Sequence, residues 1–574
     1  MPVDSTADAV TPPSRHASAA PAADGRLPIV IGVTGHRHLR DADLPLLRAR
    51  VRELFDQLKR RHPSTPLRVI TALAAGADRL VAEVALEDGH ELLVPLPLEP
   101  WDYERDFPES AAEFHALLAQ LRPDQVFVLP QQGEAGTDGA GAQLHREQRY
   151  REAGLFVAEQ CHLLLALWDG RPSESDAGTA AVVRFKLEGS VDRLEAGLRA
   201  LDADDSGPVY HVHTPRAGDA ASSAGRARWL HPHQDEQATF DALCERIDQF
   251  NSEPLRRTIA PHLHEAAAAL LPDIDAQPAP ERALAMCFAT ADLLARHYQR
   301  LTKVVLRLTL VFAALLALVF ELYAEVLPWR GLPAGYLAIF ASLTGILLWQ
   351  RRRDVQSRYL DYRALAEGLR VQFYWRIAGL PDNASGSYLR KQLDELRWIR
   401  EALRGAASLA HPGRSQPELA LEYWIGGQAA YYADRAHSQR RRLHAFERRS
   451  QVLMFGGLAA AAALVAFWSG EQARDSLWHA WLVVLMGFAP IGAALWETYA
   501  ERLGLRTQVN QYARFAGIFR RAASFAQRLE RIREPRDRAH ALRALLRELG
   551  HEALMENGDW VLLLRERPLV LPKG

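Results

Sequence analysis

The stretch IGVTGHRHL, from Ile31 to Leu39, carries an apolar run straight into a glycine, a histidine and an arginine. The apolar run is typical of a buried β-strand, and the following segment Leu44–Arg61 has the spacing of an amphipathic helix. A glycine at such a junction lets backbone N–H groups approach an anion, and the helix dipole favours negative charge there. A glycine in a tight turn also often serves backbone geometry alone, so this turn has two explanations.

Strand-like and helix-like segments alternate from Leu27 to about Arg216. This alternation predicts an α/β fold with a doubly wound parallel sheet over residues 28–216. Ligands of such sheets bind beyond the carboxyl ends of the strands. The strand candidates are Ile29–Thr34, Leu67–Ala72, Glu91–Leu96, Gln125–Leu129, Leu163–Trp168 and Val209–Thr214, and the helix candidates include Leu44–Arg61, Arg79–Glu87 and Ala180–Leu187.

Three of the predicted strand ends are rich in glycine, and we expect them to lie at one edge of the sheet. There, Arg37 could close on a phosphate as a two-pronged donor, and Thr179 could add a hydroxyl. Asp169 could bind a ribose hydroxyl or merely cap the next turn. Together these ends predict a nucleotide or phosphosugar site. The candidate ligand-binding residues are Thr34, Gly35, His36, Arg37, Gly76, Ala77, Asp78, Asp169, Gly170, Gly178 and Thr179.

Four apolar runs in the second half of the chain predict membrane crossings. About 20 helical residues cross a hydrocarbon layer of about 30 Å. The first run is shorter and spans only if Arg307 and Glu321 at its ends snorkel to the interface. Buried core helices are the alternative explanation. The runs are Leu308–Phe320, Gly331–Gln350, Ser450–Gly470 and Ser476–Trp496.

The arginines that flank these runs predict their orientation. They cluster before the first and third runs and after the second, whereas the short links within each pair carry one arginine each. By the positive-inside rule the hairpins 304–350 and 450–496 both enter from the cytoplasm, so the protein is a multi-pass protein of the inner (cytoplasmic) membrane with both termini cytoplasmic. The other predicted segments are a disordered leader 1–27, a helical connector 217–303, a cytoplasmic helical region 351–449, and C-terminal cytoplasmic helices with a tail over 497–574.

Composition excludes several classes of function. The chain has 574 residues and a net charge of −1, so direct DNA or RNA binding is not expected. Three distant cysteines indicate small buried side chains in a reducing compartment rather than a disulfide framework. His211 and His213 share a face of one predicted strand but lack a third ligand, so no metal and no cofactor is expected.

The motifs GVTGHR, AAGADRLVAEVAL, LPLEPWDYERDF and ALWDG…GTAAVVRF resemble the SLOG superfamily of Rossmann-like domains, which includes the Lonely Guy phosphoribohydrolases and nucleotide-sensing domains of bacterial defence proteins. The stretches RYLDYRALAEGLRVQFYWRIAGL, LRWIREAL, YYADRAHSQRRRLHAFE and ENGDWVLLLRERP resemble the SLATT effectors, which are two-helix membrane modules. These resemblances cover about four-fifths of the chain.

One departure from the hydrolytic members bears on activity. They carry a glycine-glycine-x-glycine-threonine turn with a glutamate three residues after the threonine. Here Asp176 and Ala177 precede Gly178 and Thr179, and Val182 stands where the glutamate would be. The resemblance therefore implies binding more than hydrolysis.

The sequence thus predicts a nucleotide-signal sensor coupled to a membrane-disrupting or pore-forming effector in bacterial antiviral defence. Its expected partners are the lipid bilayer, a nucleotide or phosphosugar signal, and further copies of the chain in a homo-oligomer. The alternative is a membrane-tethered nucleotide or NAD hydrolase acting through Asp169 and its neighbours, and a third interpretation is a non-sensing membrane anchor.

Overall fold

The chain forms two compact units. The first comprises Met1–Glu253 with Arg404–His411, and the second comprises Pro254–Leu403 with Pro412–Gly574. The predicted leader up to residue 23, and Asp176 and Ala177 of the glycine turn, lie outside the described residues. The computed structural model describes residues 24–130, 139–172, 178–189, 206–216, 219, 224–232, 236–327, 329–387, 393–410, 415–467 and 476–565.

A mixed, mostly parallel sheet of seven strands forms the centre of the first unit, in the order β4-β3-β2-β1-β5-β6-β7. All six predicted strands are present, with ends that differ by at most two residues. The seventh, β7, was not predicted, because this short antiparallel strand is half-exposed and lacks an apolar run. The strands are β1 Ile29–Gly35, β2 Leu67–Ile70, β3 Glu91–Leu96, β4 Val126–Val128, β5 Leu163–Trp168, β6 Val209–His213 and β7 Ala227–Leu230.

Strand β1 lies at the centre of the sheet, with three strands on each side of it. It pairs in parallel with β2, where Ile29 faces Leu67, and with β5, where Ile31 faces Leu163. Strands β2 to β4 continue on one side, and β6 and β7 continue on the other. The order of strands therefore reverses between β1 and β5, and the turns that follow these two strands leave the sheet side by side.

Amphipathic helices connect the strands of the first unit. Helix α1 shows the cause most clearly, since Leu47, Val51, Leu54, Phe55 and Leu58 recur at three- and four-residue spacing and are all buried. Its last turn holds three basic residues, and their positive charges stabilise the helix because they lie at the negative end of the helix dipole. The helices are α1 Leu44–Arg61, α2 Ala77–Glu87, α3 Pro100–Tyr103, α4 Ala111–Leu118, α5 Gly139–Gln160, α6 Thr179–Glu188 and α7 Glu236–Ser252.

The second unit is helical throughout its described residues. A π-helical segment, Ala420–Gly426, joins α15 to α16, and the last residues of α14 are grouped with the first unit. The helices are α8 Arg256–Ile259, α9 Leu263–Ala268, α10 Ala279–Glu325, α11 Gly331–Arg353, α12 Val355–Ile377, α13 Ala384–Ser387, α14 Leu393–Ala407, α15 Pro417–Leu419, α16 Gly427–Phe467, α17 Leu477–Arg502, α18 Leu505–Leu529 and α19 Pro535–Arg565.

Within the described residues, four helical stretches are long and apolar enough to cross a membrane. They contain the first two predicted runs in full and most of the third and fourth, of which residues 468–470 lie outside the described residues. Their most apolar windows have mean hydropathy between 1.4 and 2.3 and are at most 17% buried. Helices with so little of their apolar surface covered are suited to a lipid solvent. The first crossing does not depend on a 13-residue run alone, because α10 continues as one helix from Ala279 to Glu325. Four such helices indicate a membrane protein, whereas the side on which the termini lie stays a prediction.

Small residues allow the apolar helices to pack closely. A Cβ placed on Gly457 of α16 would lie 3.1 Å from the Cβ of Ala489 on α17. A Cβ on Gly487 of α17 would lie 2.7 Å from a carboxylate oxygen of Glu321 on α10. Glu321, which bounds the first run in the sequence, therefore packs against a residue in the middle of the fourth run. This contact joins the two hairpins.

Candidate anion site at the carboxyl edge of the sheet

The turns after β1, β2 and β5 meet at one edge of the sheet. The backbone N–H of His36, after β1, donates to the carbonyl of Leu167 in β5 over 3.0 Å. The N–H of Ala77, at the start of α2, donates to the carbonyl of His36, also over 3.0 Å. The Thr179 hydroxyl, at the start of α6, donates to the carbonyl of Gly35 over 2.9 Å. These contacts bring together four of the predicted candidate residues, namely Gly35, His36, Ala77 and Thr179.

Two of the candidate glycines are required by the protein's own packing. Gly76 has φ of 83°, and a Cβ there would lie 2.3 Å from the carbonyl oxygen of Arg37. A Cβ on Gly35 would lie 2.4 Å from the Cβ of Ala77. Both glycines therefore permit the β1 and β2 turns to touch, which is the geometric explanation that the sequence left open.

Gly178 at the start of α6 is different. Its φ of −94° and ψ of 172° are extended values that any residue adopts. No heavy atom of the described residues lies within 4 Å of a Cβ built there. The backbone N–H groups of Thr179 and Ala180 likewise make no hydrogen bond within the described part of the chain. Gly178 thus leaves the positive end of a ten-residue helix open.

Asp169, just after β5, is a buried group whose two oxygens are occupied. One accepts a hydrogen bond from the N–H of Arg171 over 3.0 Å, and the other accepts from Arg216 Nε over 2.7 Å. Burial opposes its charge, but the backbone N–H of Arg171 and the guanidinium of Arg216 hold the pKa of Asp169 below its ordinary value. The carboxylate therefore caps its own turn and anchors Arg216. The alternative, in which Asp169 binds a ribose hydroxyl, has less support.

His36 connects the turn of β1 to Asp169. Its Nε2 accepts a hydrogen bond from the backbone N–H of Asp169 over 3.1 Å, which requires that nitrogen to be unprotonated. Burial lowers the pKa of His36 despite the nearby carboxylate of Asp169. The imidazole is therefore neutral at pH 7 and holds two turns in register, rather than adding a positive charge.

Asp78, in the first turn of α2, is a second buried carboxyl at this edge. Burial raises its pKa to about 6, although the Thr71 hydroxyl, the backbone N–H groups of Ala74 and Ala72, and the nearby charge of Arg37 all favour its ionised form. The Thr71 hydroxyl donates to it over 3.0 Å. Asp78 therefore changes its charge close to physiological pH.

Arg37 is the group at this edge best placed to meet an anion. Its side chain is exposed, and its guanidinium lies 5.1 Å from the centre of the Tyr150 ring on α5. Among the described residues it has no carboxylate partner. The Tyr150 hydroxyl is buried and also lacks a hydrogen-bond partner there.

Two residues of this edge were missed by the sequence analysis. Tyr150 lies inside a helix with no motif around it, and Arg216 lies in a polar turn, so neither carries a pattern of its own. The only available signal was the position of Arg216 just beyond the end of a predicted strand.

The histidine pair of β6 is engaged within the protein. His211 Nε2 donates to the carbonyl of Trp168 over 2.8 Å, and its Nδ1 accepts from Arg228 over 3.2 Å. Across the part of the chain that the structure describes, no three His, Cys, Asp or Glu side chains gather as a metal ion would require.

Comparison of the sequence with protein-family profiles gives no match, and no curated protein or solved structure matches the chain. The resemblance to the SLOG and SLATT families therefore stays a prediction.

Proposed function

We propose that this chain is a sensor of a nucleotide signal, in which the first unit binds a phosphate-bearing nucleotide and the helical unit acts on the membrane. The proposal rests on the observation that, among the described residues, neither Arg37 nor the start of α6 has a partner at the edge where β1 and β5 meet. Ligands of open α/β sheets bind at such a reversal of strand order. We infer from the same order that the sheet is doubly wound and Rossmann-like.

The proposed site meets a phosphate with complementary groups. The guanidinium of Arg37 supplies charge-assisted hydrogen bonds, and the free N–H groups of Thr179 and Ala180 supply uncharged ones. Asp169 and His36 do not contact the phosphate in this proposal; they hold the turns after β5 and β1 in position. The ribose and base would extend from there, so ADP-ribose derivatives, cyclic nucleotides and oligonucleotide signals all fit the proposal.

The membrane part of the proposal assigns the two hairpins to a pore-forming or membrane-disrupting effector. It is supported by four lipid-suited helices, by close packing at small residues, and by the resemblance to SLATT modules. Two hairpins enclose a pore poorly, so the effector is a homo-oligomer, and its cellular role is bacterial antiviral defence. A ligand can drive it only by binding one state of the protein more tightly than another.

Arg37→Ala tests the site directly. The change should weaken binding of ADP-ribose, a cyclic dinucleotide or NAD, whichever the wild-type chain binds, by about 1.5–3 kcal/mol, since a hydrogen bond to a charged group is lost. Isothermal titration calorimetry on the purified full chain measures this loss. Arg60→Ala is the matched control, because Arg60 is equally exposed but lies in the last turn of α1. Equal loss in both variants, or in neither, would refute the proposed site.

A second candidate function, a membrane-tethered nucleotide or NAD hydrolase, is favoured by one observation. Asp78 has a pKa of about 6, which suits a general acid or base at neutral pH. Against it, Val182 at the glutamate position is buried in the apolar core, and a Cβ on Gly154 would lie 2.6 Å from it. Chromatography of NAD and nucleotide monophosphates after incubation separates the two functions. Turnover that Asp78→Asn abolishes favours the enzyme, and binding without turnover favours the sensor.

A further inference from the structure

A cavity of about 370 Å³ opens between α16 and α17, at the end of the second hairpin that the sequence places in the cytoplasm. The surface that faces the cavity is almost wholly apolar, and two exposed arginines are among the residues that line it. The lining residues are Arg448, Arg449, Val452, Leu453 and Trp496. Apart from the guanidinium groups and one indole nitrogen, these side chains are hydrocarbon.

The two arginines of this cavity are free to meet an anion. Both are exposed, and neither forms an ion pair or a hydrogen bond with a described residue. The guanidinium of Arg449 lies 5.7 Å from the centre of the Trp496 ring. The nearest carboxylate in sequence, that of Glu447, is already engaged with Arg506 over 3.3 Å.

Trp496 supplies an aromatic wall of the cavity. Its Nε1 is buried and has no hydrogen-bond partner within the described residues. Its ring stacks on Phe446 with centres 5.0 Å apart. An indole with one polar atom and a large apolar body suits the boundary between headgroups and acyl chains.

The cavity lies at the level where the first hairpin also leaves the apolar layer. Arg307, which precedes the first apolar run, donates from Nε to the Tyr499 hydroxyl over 2.9 Å. Tyr499 packs beside Phe446, with ring centres 5.7 Å apart, and Phe446 stacks on Trp496. The floor residues Val452 and Leu453 lie one turn deeper in the apolar run that begins at Ser450.

We propose that this cavity is a binding site for one anionic phospholipid. The guanidinium groups of Arg448 and Arg449, which are exposed beside the cavity, hold its phosphate. The first part of an acyl chain lies on Val452 and Leu453. An apolar floor below paired cations selects a lipid over a soluble phosphate, because only a lipid fills both parts. The proposal is independent of nucleotide binding by the first unit.

Native mass spectrometry of the full chain in detergent tests the site, with phosphatidylglycerol and phosphatidylcholine added in increasing amounts. Arg448→Gln combined with Arg449→Gln should raise the phosphatidylglycerol concentration for half occupancy by about 30-fold, as expected for two arginines near an anionic surface, and should leave phosphatidylcholine retention unchanged. Arg440→Gln combined with Arg441→Gln is the matched control. These arginines are exposed on the same helix but do not line the cavity.

Three outcomes would overturn the proposal. The first is a cavity variant that retains phosphatidylglycerol within twofold of wild type. The second is an equal loss in the control variant, which would indicate general surface charge. The third is displacement of the lipid by glycerol 3-phosphate at concentrations similar to that of the lipid, which would indicate a soluble ligand. Arg448→Gln and Arg449→Gln alone should each raise the phosphatidylglycerol concentration for half occupancy by about fivefold, which tests the site even where the double variant folds poorly.

Discussion

Gly76 and Gly178 show how glycines at similar strand-to-helix junctions differ in purpose. A side chain on Gly76 would collide with the β1 turn, whereas a side chain on Gly178 would meet no described atom. Of the two, only Gly178 borders space that no described residue occupies. We therefore expect substitution of Gly76 to affect folding and substitution of Gly178 to affect ligand binding.

Gly178→Val should leave the thermal unfolding temperature of the full chain nearly unchanged, since its backbone is extended and unobstructed. Nucleotide binding should fall below detection in calorimetry, because the branched side chain covers the free N–H groups of α6. Gly76→Ala should show the reverse pattern, with stability lowered by more than about 1 kcal/mol at its positive φ. Normal binding by Gly178→Val would show that the ligand does not use the start of α6.

Asp78 should make the stability of the first unit depend on pH. Its pKa of about 6 in the folded protein exceeds its ordinary value of 3.8. Its stabilising contribution is therefore complete below about pH 4 and is lost as the pH rises through 6. Relative to Asp78→Asn, the wild type should lose about 2 kcal/mol between pH 4.5 and pH 7.5. Unfolding temperatures of both chains across this range measure the difference, and parallel curves would contradict the raised pKa.

At the scale of elements, α10 connects the soluble and apolar parts of the helical unit. Its first half, including Ala283, Phe288 and Leu294, is buried, and its second half contains the first apolar run. Asp292 in the buried half lies 3.6 Å from Arg363 of α12. One continuous helix therefore extends from the buried first half to the contact between Glu321 and Gly487.

Gly487→Val should loosen the packing between the two hairpins, because its branched side chain overlaps the Glu321 carboxylate, which must turn away. Arg307 and Tyr499 contact each other across the two hairpins in the native chain. Cysteines placed at these two positions, in a chain from which the three native cysteines are removed, report how far apart the hairpins lie. A short bifunctional maleimide should link them several-fold less in the variant. Gly345→Val is the control, since no described atom lies within 4 Å of a Cβ there. Equal linking in all three chains would show that the contact does not hold the hairpins together.

The elements themselves were largely predictable, because their apolar periodicity is local. Helix Leu44–Arg61 and strand Glu91–Leu96 were predicted with their observed ends. The sequence predicted which strand ends form the candidate edge, but it did not predict which residues there hold the turns in place and which remain open to a ligand. The pairing of Asp169 with Arg216 and the position of Tyr150 under Arg37 arise from contacts between distant residues. No sequence pattern marks such contacts. For the same reason, the sequence did not reveal that Glu321 packs against Gly487.

At the scale of the whole molecule, the proposal joins a site that binds an anion to helices that suit a bilayer. Neither property implies the other, and the link between them is a difference in ligand affinity between two states of the chain. A shift of the membrane part from 1% to 99% active requires about 5.5 kcal/mol of such a difference. If several ligands bind one oligomer, each needs to supply only a part of this binding free energy.

The central claim is tested most directly by dye release from liposomes that contain the inserted full chain. The nucleotide that binds in an Arg37-dependent manner is added in increasing amounts. Wild-type and Arg60→Ala chains should release dye over the concentration range in which they bind the nucleotide. Arg37→Ala should need at least about tenfold more nucleotide, in proportion to its lost binding energy. Dye retained by the wild type at saturating nucleotide, or released equally without it, would contradict the coupling of sensor to effector.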